Sequence, residues 1–206
     1  SARVDALLKR NRLLRQSGAP RAGRVITVLG AKGGVGVTTV TLNLAALLAK
    51  AGKQVIAAEL RPDFGTFSVQ LRTANPPATL AGLLASEPAA ITDPLVNMHL
   101  MATVFGPRIL FGPQKPEEVG ELDPARIGAV VGRLLTMADY TVIDLPAVSS
   151  PAHAAVVKNS SFVVLLLEPE VTSVAAAGVR LRQLEAWGAT SPMIKLLVVN
   201  RQGAMM

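Results

Sequence analysis

The chain has 206 residues, of which 50% are hydrophobic and none is cysteine. A chain of this length and composition can bury one sizeable core, and the lack of cysteine excludes disulfides, zinc–thiolate sites and thiol nucleophiles. No apolar run approaches the roughly 20 residues of a membrane span, and the first residues lack the apolar region of a signal peptide. The sequence therefore predicts a soluble, cytoplasmic protein.

The net charge of +7 is concentrated near one end of the chain. Seven cations lie within residues 1–24 against a single acid, Asp5, so the remainder is close to neutral. A uniformly basic surface for nucleic acid is therefore not supported, and DNA is not expected as a partner.

Residues 1–23 are predicted to form a basic helix and linker ahead of one α/β domain at 24–206. Apolar residues recur near helical spacing over 2–16, and SGAPRAGR at 17–24 has the composition of a linker. Two interpretations stay open for this segment. It is either a connector from an upstream domain or a helix that binds a membrane surface or a partner protein.

From Arg24 onward, apolar strand-like runs alternate with helix-like segments. The strand-like runs lie at 24–30, 54–60, 108–112, 140–144, 162–168 and 195–200, and helices are predicted at 38–51, 124–138, 151–158 and 171–187. Continuous apolar strands separated by helices predict a mostly parallel sheet with helices on both faces. The chain stops soon after the last predicted strand, and a C-terminal truncation of the domain is one expectation.

The segment GAKGGVGVTT at 30–39 follows a predicted strand and opens a predicted helix, which is the context of a phosphate-binding loop. Its glycines permit backbone angles and close approaches that a Cβ would forbid. Successive N–H groups and the positive end of the following helix then favour phosphate, and Thr38 supplies the hydroxyl expected on Mg²⁺. Val37 stands where a P-loop usually has lysine, so weaker ATP binding is expected.

KGGVGVTT resembles the deviant Walker A motif, KGGxGxTT, of the MinD/ParA ATPases. Lys32 matches the signature lysine, which in that family reaches across a dimer interface to the partner's nucleotide. The resemblance implies a P-loop NTPase fold of the deviant Walker A type, a homodimer, and ATP or ADP with Mg²⁺ as cofactors. It assigns nucleotide contacts to Lys32, Gly33, Gly34, Val35, Gly36, Val37, Thr38 and Thr39.

VIAAELRPDFGTF at 55–67 resembles the second motif of this family, V-x-x-x-D-x-D. Glu59 matches its first Asp, and Glu59 and Lys32 are therefore the candidate catalytic residues. Arg61 stands where the family has the Asp that positions the attacking water. Asp63 could substitute only if the loop is re-registered. With both Val37 and Arg61 altered, slow or absent ATP hydrolysis is expected, and enzymatic activity is left open.

Two further strand ends complete the resemblance. YTVIDLPAVSS at 140–150 resembles the Walker B strand and its switch, so Asp144 is implied near Mg²⁺ together with Thr38. VVNR at 198–201 resembles the strand end where an asparagine reads adenine, which implies a base contact from Asn200.

Several phrases resemble the CpaE/TadZ-like branch, among them the FG after the second motif, DLP after Walker B and EPEVTSVAAAGVRL at 168–181. That branch implies an ATP-binding, dimerising factor that localises or assembles Tad-type pili at the cell pole or inner membrane surface, with pilus or secretion proteins as partners. Two alternatives remain open. One is a non-catalytic scaffold with a relic nucleotide loop, and the other is a partitioning or division-site ATPase of the ParA/MinD type.

Overall fold

The computed structural model describes residues 23–74, 76 and 78–200. Within these residues, seven strands form a single sheet in the order β3-β4-β2-β5-β1-β6-β7. The predicted basic helix and most of the linker lie outside the described residues. The strands are β1 (Arg24–Gly30), β2 (Val55–Glu59), β3 (Met101–Ala102), β4 (Arg108–Leu110), β5 (Tyr140–Leu145), β6 (Phe162–Leu167) and β7 (Ile194–Val198).

Four long helices follow the strands, and three short ones fill the middle of the chain. The long helices are α1 (Val37–Lys50), α5 (Pro124–Met137), α6 (Pro151–Lys158) and α7 (Val171–Ala186). The short helices are α2 (Phe67–Gln70), α3 (Leu80–Leu84) and α4 (Asp93–Met98), with 3₁₀ turns at Pro88–Ala90 and Pro116–Glu118. The predicted long helices are thus confirmed to within about a residue at each end, as element boundaries ordinarily allow.

The sheet is parallel except at its β3 edge, where β3 pairs antiparallel with β4. Residues on each inner strand alternate between two buried clusters, as the period of two requires. On β1, Val25 and Leu29 join the cluster beneath α5, α6 and α7, whereas Val28 joins the cluster beneath α1. The prediction of a mostly parallel sheet with helices on both faces is confirmed.

The outer strand β7 departs from the prediction of strands covered on both faces. Its apolar side chains Leu196, Leu197 and Val198 are exposed, although their composition is that of an inner strand. β7 is the outermost described strand on its side of the sheet, and none of the described helices covers these three side chains. None of the described helices is long and apolar enough to cross a membrane.

The strand order creates a crevice between β1 and β5. The chain leaves β1 through α1 and crosses β5 to reach β2, whereas it leaves β5 through α6 and crosses β1 to reach β6. Connections that diverge from two neighbouring strands open a gap at their carboxyl ends, which is where ligands bind in sheets of this kind. The glycine-rich loop and Asp144 both lie at this edge.

Candidate nucleotide-binding site

The loop between β1 and α1 has a backbone that only glycine adopts readily. Gly34 has φ 80° and Gly36, the N-cap of α1, has φ 96°, both in the left-handed region. Gly30 is required for a different reason, since a Cβ there would lie 2.5 Å from the carbonyl oxygen of Lys32. Gly36 has no side chain to accept the first N–H groups of α1, so these groups are suited to a phosphate.

A hydroxyl and a carboxylate meet at the mouth of this loop. Thr38, in the first turn of α1, donates a hydrogen bond of 2.7 Å from its Oγ1 to Oδ2 of Asp144 at the end of β5. Asp144 is 2% exposed, and burial raises its pKa to about 6, although the Thr38 hydrogen bond opposes that shift. The structure thus brings together the two residues predicted as metal ligands.

The Thr38–Asp144 pair is suited to a Mg²⁺ ion that a nucleotide also binds, and less suited to a metal held by protein side chains alone. Among the residues that the structure describes, no group of three or more His, Asp or Glu side chains could hold a metal ion. Mg²⁺ is commonly bound by one or two protein oxygens together with water and substrate phosphates. A cation beside Asp144 would also favour its ionised form, which burial disfavours. The donor set is therefore that of a metal bound together with a nucleotide.

Glu59 organises the loops around the site. Its side chain is fully buried, and its carboxylate accepts hydrogen bonds from the backbone N–H of Thr66, Phe67 and Gly112 and from the Thr66 hydroxyl at 3.1 Å. The Thr66 hydroxyl also lies 3.2 Å from that of Thr38. This geometry indicates a structural role for Glu59, and its predicted catalytic role stays a prediction.

Arg61 lies two residues beyond Glu59 and faces acids. Its Nε donates to Oδ1 of Asp63 at 2.7 Å, and its Nη1 is 3.6 Å from Oε1 of Glu59. Burial disfavours the charged guanidinium, but Asp63, Glu59 and Asp144 together raise its pKa. Asp63 is paired with Arg61 in this way, so the loop has not been re-registered to place Asp63 free in the site.

The signature lysine is engaged by two acids of the β6–α7 loop. Lys32 Nζ lies 3.1 Å from Oε2 of Glu168 and donates to Glu170 as well. The hydrogen bonds to Glu170 and Glu168 raise the pKa of Lys32, and the bond from Lys32 lowers that of Glu170. The role of Lys32 at a partner's nucleotide stays a prediction, because it concerns a second subunit.

The remaining predicted contacts lie around the same edge. Val35 is buried and Val37 half-buried, and both belong to the cluster beneath α1, so only their backbone is suited to phosphate. Thr39 is exposed on the same helix. Asn200 is exposed just after β7, two strand spacings, or about 10 Å, from β1. Its predicted contact with the base stays a prediction.

Sequence reasoning missed several residues that shape the site. Thr66 and Gly112 were not singled out, and Glu168 and Glu170 were noticed only as part of a longer phrase. Position was the usable signal for the two acids, since they follow a buried parallel strand and must reach the edge where the glycine loop lies. Gly112 had no comparable signal, because its part comes from a backbone N–H.

A glycine loop between the first strand and helix, a threonine–aspartate pair at its mouth and this sheet order together define a P-loop nucleotide-binding fold. The sequence model of the AAA domain family matches residues 23–181, and the chain belongs to this family.

Among curated proteins, the chain is similar to an uncharacterised ATP-binding protein of Methanocaldococcus jannaschii, with 28% identity over 179 residues that cover 87% of this chain and 65% of that protein. It is also similar to the septum site-determining protein MinD of Thermotoga maritima, at 25% identity over 87% of this chain and 64% of that protein. The chain therefore spans just under two thirds of the length of these relatives.

Solved structures agree. A ParA family ATPase from Chlorobium tepidum TLS has a TM-score of 0.77 at 20% identity, covering 86% of this chain and 74% of its own. The septum site-determining protein MinD of Pyrococcus horikoshii OT3, complexed with Mg-ADP, has a TM-score of 0.69 at 25% identity, and the match covers 88% of this chain and 71% of that protein. The predicted relation to MinD/ParA P-loop ATPases is confirmed. The finer CpaE/TadZ assignment is not distinguished by these matches.

Proposed function

We propose that this chain binds ATP with Mg²⁺ at the glycine loop and uses the bound nucleotide as a dimerising switch. The observation that carries the proposal is the 2.7 Å contact between Thr38 and Asp144 at the loop mouth. Backbone N–H groups of residues 33–39 would bind phosphate, Thr38 and Asp144 would hold Mg²⁺, and Asn200 would contact the base. The solved MinD of Pyrococcus horikoshii, which shares this fold, is complexed with Mg-ADP.

Hydrolysis of the bound ATP is proposed to be slow or absent. Phosphoryl transfer depends on positioning and on charge stabilisation around the γ-phosphate. Val37 supplies no cation, Arg61 replaces the carboxylate that would position water, and the oxygens of Glu59 already accept four hydrogen bonds or more. Loss of one such stabilising group costs a factor on the order of 10² or more in rate.

The surface beside Lys32 supports a homodimer. Val148, Val171, Val174 and Val179 are exposed, and Val171 and Val174 line an open cavity together with Glu170. Exposed apolar side chains grouped next to a ligand site are typical of an interaction face. A second copy of this chain is the proposed occupant, because it would place the two glycine loops near each other across a two-fold axis.

In the cell, the proposed role is a localisation or assembly factor resembling CpaE/TadZ, which acts with pilus or secretion proteins at the cell pole or the inner membrane surface. The phrases FG, DLP and EPEVTSVAAAGVRL support this branch. The similarity to proteins named septum site-determining protein MinD favours one alternative, a division-site or partitioning ATPase. A non-catalytic scaffold is the remaining alternative.

Thermal unfolding with Mg-ATP tests nucleotide binding directly. At a ligand concentration 100-fold above Kd, binding adds about 2.7 kcal/mol, which raises the midpoint of a chain of this size by about 5–10 °C. Thr38→Val should remove most of this shift, whereas the control Thr136→Val on exposed α5 surface should retain it. A wild-type protein that is not stabilised would support the scaffold.

Light scattering then tests the dimer, and DNA binding tests the partitioning alternative. We expect the chain to form dimers with Mg-ATP. Val174→Glu should abolish these dimers, because the new charge would be buried against an apolar surface.

DNA binding that weakens steeply with rising salt would favour the partitioning role. Robust ATP turnover that disappears in Lys32→Ala would contradict the proposal of slow hydrolysis.

A further inference from the structure

The phosphate site of this chain is short of one positive charge. The position before Thr38 is Val37, whose half-buried side chain packs in the cluster beneath α1. Lys32, the one basic residue of GAKGGVGVTT, is held by Glu168 and Glu170. A triphosphate bound at the loop would therefore carry more negative charge than the loop's own side chains offset.

Arg61 is the cation that the fold places next to this site. Glu59 and Asp144 are register partners on the adjacent strands β2 and β5, and Arg61 follows Glu59 by two residues. A short path of contacts connects its guanidinium to the loop mouth, through Glu59 and Thr66 to Thr38. The positive charge of Arg61 also acts to lower the pKa of Asp144, which is consistent with this proximity.

One of the two acids that Arg61 contacts, Asp63, is replaceable as a partner. Asp63 is 61% exposed at its side chain, whereas Arg61 is 16% exposed. Water reaches the Asp63 side of this ion pair and weakens it by screening. A phosphate accepts two parallel hydrogen bonds from a guanidinium and binds it more strongly than a solvated carboxylate does.

We infer that Arg61 is a γ-phosphate sensor that exchanges Asp63 for the terminal phosphate of ATP and so supplies the charge missing at Val37. The inference rests on the proposed nucleotide binding and deepens it. It assigns to Arg61 the discrimination between the triphosphate and the diphosphate, while the glycine loop contacts both. An arginine at this position binds the γ-phosphate but cannot accept a proton from water, so the same residue strengthens ATP binding without replacing the carboxylate that would position the attacking water.

The alternative role for Arg61 is purely structural, as a link between Glu59 and Asp63 that holds the loop after β2. The two roles differ in what they predict for nucleotides. A structural link would affect ATP and ADP alike, through the shape of the loop. A γ-phosphate contact affects ATP alone.

Competitive displacement of a fluorescent nucleotide, with Mg²⁺ present, measures both affinities on the full chain. Arg61→Gln should weaken ATP binding by about tenfold or more, as expected for a lost charge-assisted hydrogen bond, and change ADP binding by less than about twofold. Asp63→Asn should tighten ATP binding several-fold, because it frees the guanidinium, and leave ADP unchanged. Arg126→Gln, which removes an arginine paired with exposed Glu87, should alter neither.

Each outcome decides the inference. Equal weakening of ATP and ADP in Arg61→Gln, or no change in ATP binding, overturns it. If Arg61→Gln fails to fold, Asp63→Asn still decides, since unchanged or weaker ATP binding in that variant also overturns it. A wild-type chain that binds neither nucleotide refutes the proposed function itself. A chain that binds both nucleotides with variants that do not discriminate refutes only the sensor.

Discussion

Replacing Glu59 with alanine should destabilise the fold more than any single loss of a surface acid. The carboxylate is fully buried and accepts hydrogen bonds from three backbone N–H groups on two separate segments, at Thr66, Phe67 and Gly112. Alanine would leave those donors without an acceptor. The loop after β2 and the segment after β4 would lose the group that joins them.

The expected loss of stability is set by the backbone N–H donors that water cannot reach once the carboxylate is removed. The N–H groups of Phe67 and Gly112 are buried at these contacts, and each buried donor without a partner costs about 1–3 kcal/mol. The Thr66 groups are partly accessible, so water or Thr38 offsets part of their loss. Removing a buried charge recovers some desolvation energy. We therefore expect a net loss of about 3–5 kcal/mol in Glu59→Ala.

Urea denaturation followed by circular dichroism measures this loss, with Glu87→Ala as the matched control. Glu87 is 77% exposed in its pair with Arg126, and an exposed pair contributes about 0–1 kcal/mol. A difference of less than about 1 kcal/mol between the two variants would refute the reasoning about Glu59. That result would mean that the buried carboxylate does not hold the loop after β2 to the segment after β4.

Three further predictions concern charge. Burial raises the pKa of Asp144 to about 6 in the folded chain. The contribution of Asp144 to the free energy of unfolding is therefore full below about pH 4 and falls by about 3 kcal/mol as pH rises to about 6. This pH dependence should disappear in Asp144→Asn. Burial lowers the pKa of His153 to about 4, so its contribution to the free energy of unfolding is lost as pH falls from about 6.5 to 4. Because this contribution increases with pH, His153→Gln should make the slope of stability against pH more negative in urea denaturation at several pH values. Lys32→Ala, at an exposed pair, should leave the midpoint of the nucleotide-free chain unchanged and abolish ATP-dependent dimers in light scattering.

The local sequence determined the elements and the loop. Apolar runs such as FVVLLL and the glycines of GAKGGVGVTT act through neighbouring residues, by side-chain period and by backbone angle. The parallel sheet, the long helices and the phosphate-binding loop could therefore be predicted before the structure was known. The two-residue strand β3 and the four-residue helix α2 could not be predicted, because these segments are too short to show a periodic pattern of apolar residues.

Local patterns did not specify which side chains meet: the family resemblance implied that Thr38 and Asp144 do, and only the tertiary structure revealed the contact between Glu59 and Gly112. Thr38 contacts Asp144 across 106 positions of sequence, and Gly112 contacts Glu59 across 53. Such contacts depend on strand order and register, which the alternation of apolar residues along one strand does not specify. The exposure of β7 has the same cause, since an inner and an outer strand can share one composition. The sequence thus determined that a phosphate loop exists, and its motifs implied that Glu59 and Arg61 lie near it. The tertiary structure decided which groups these two side chains contact.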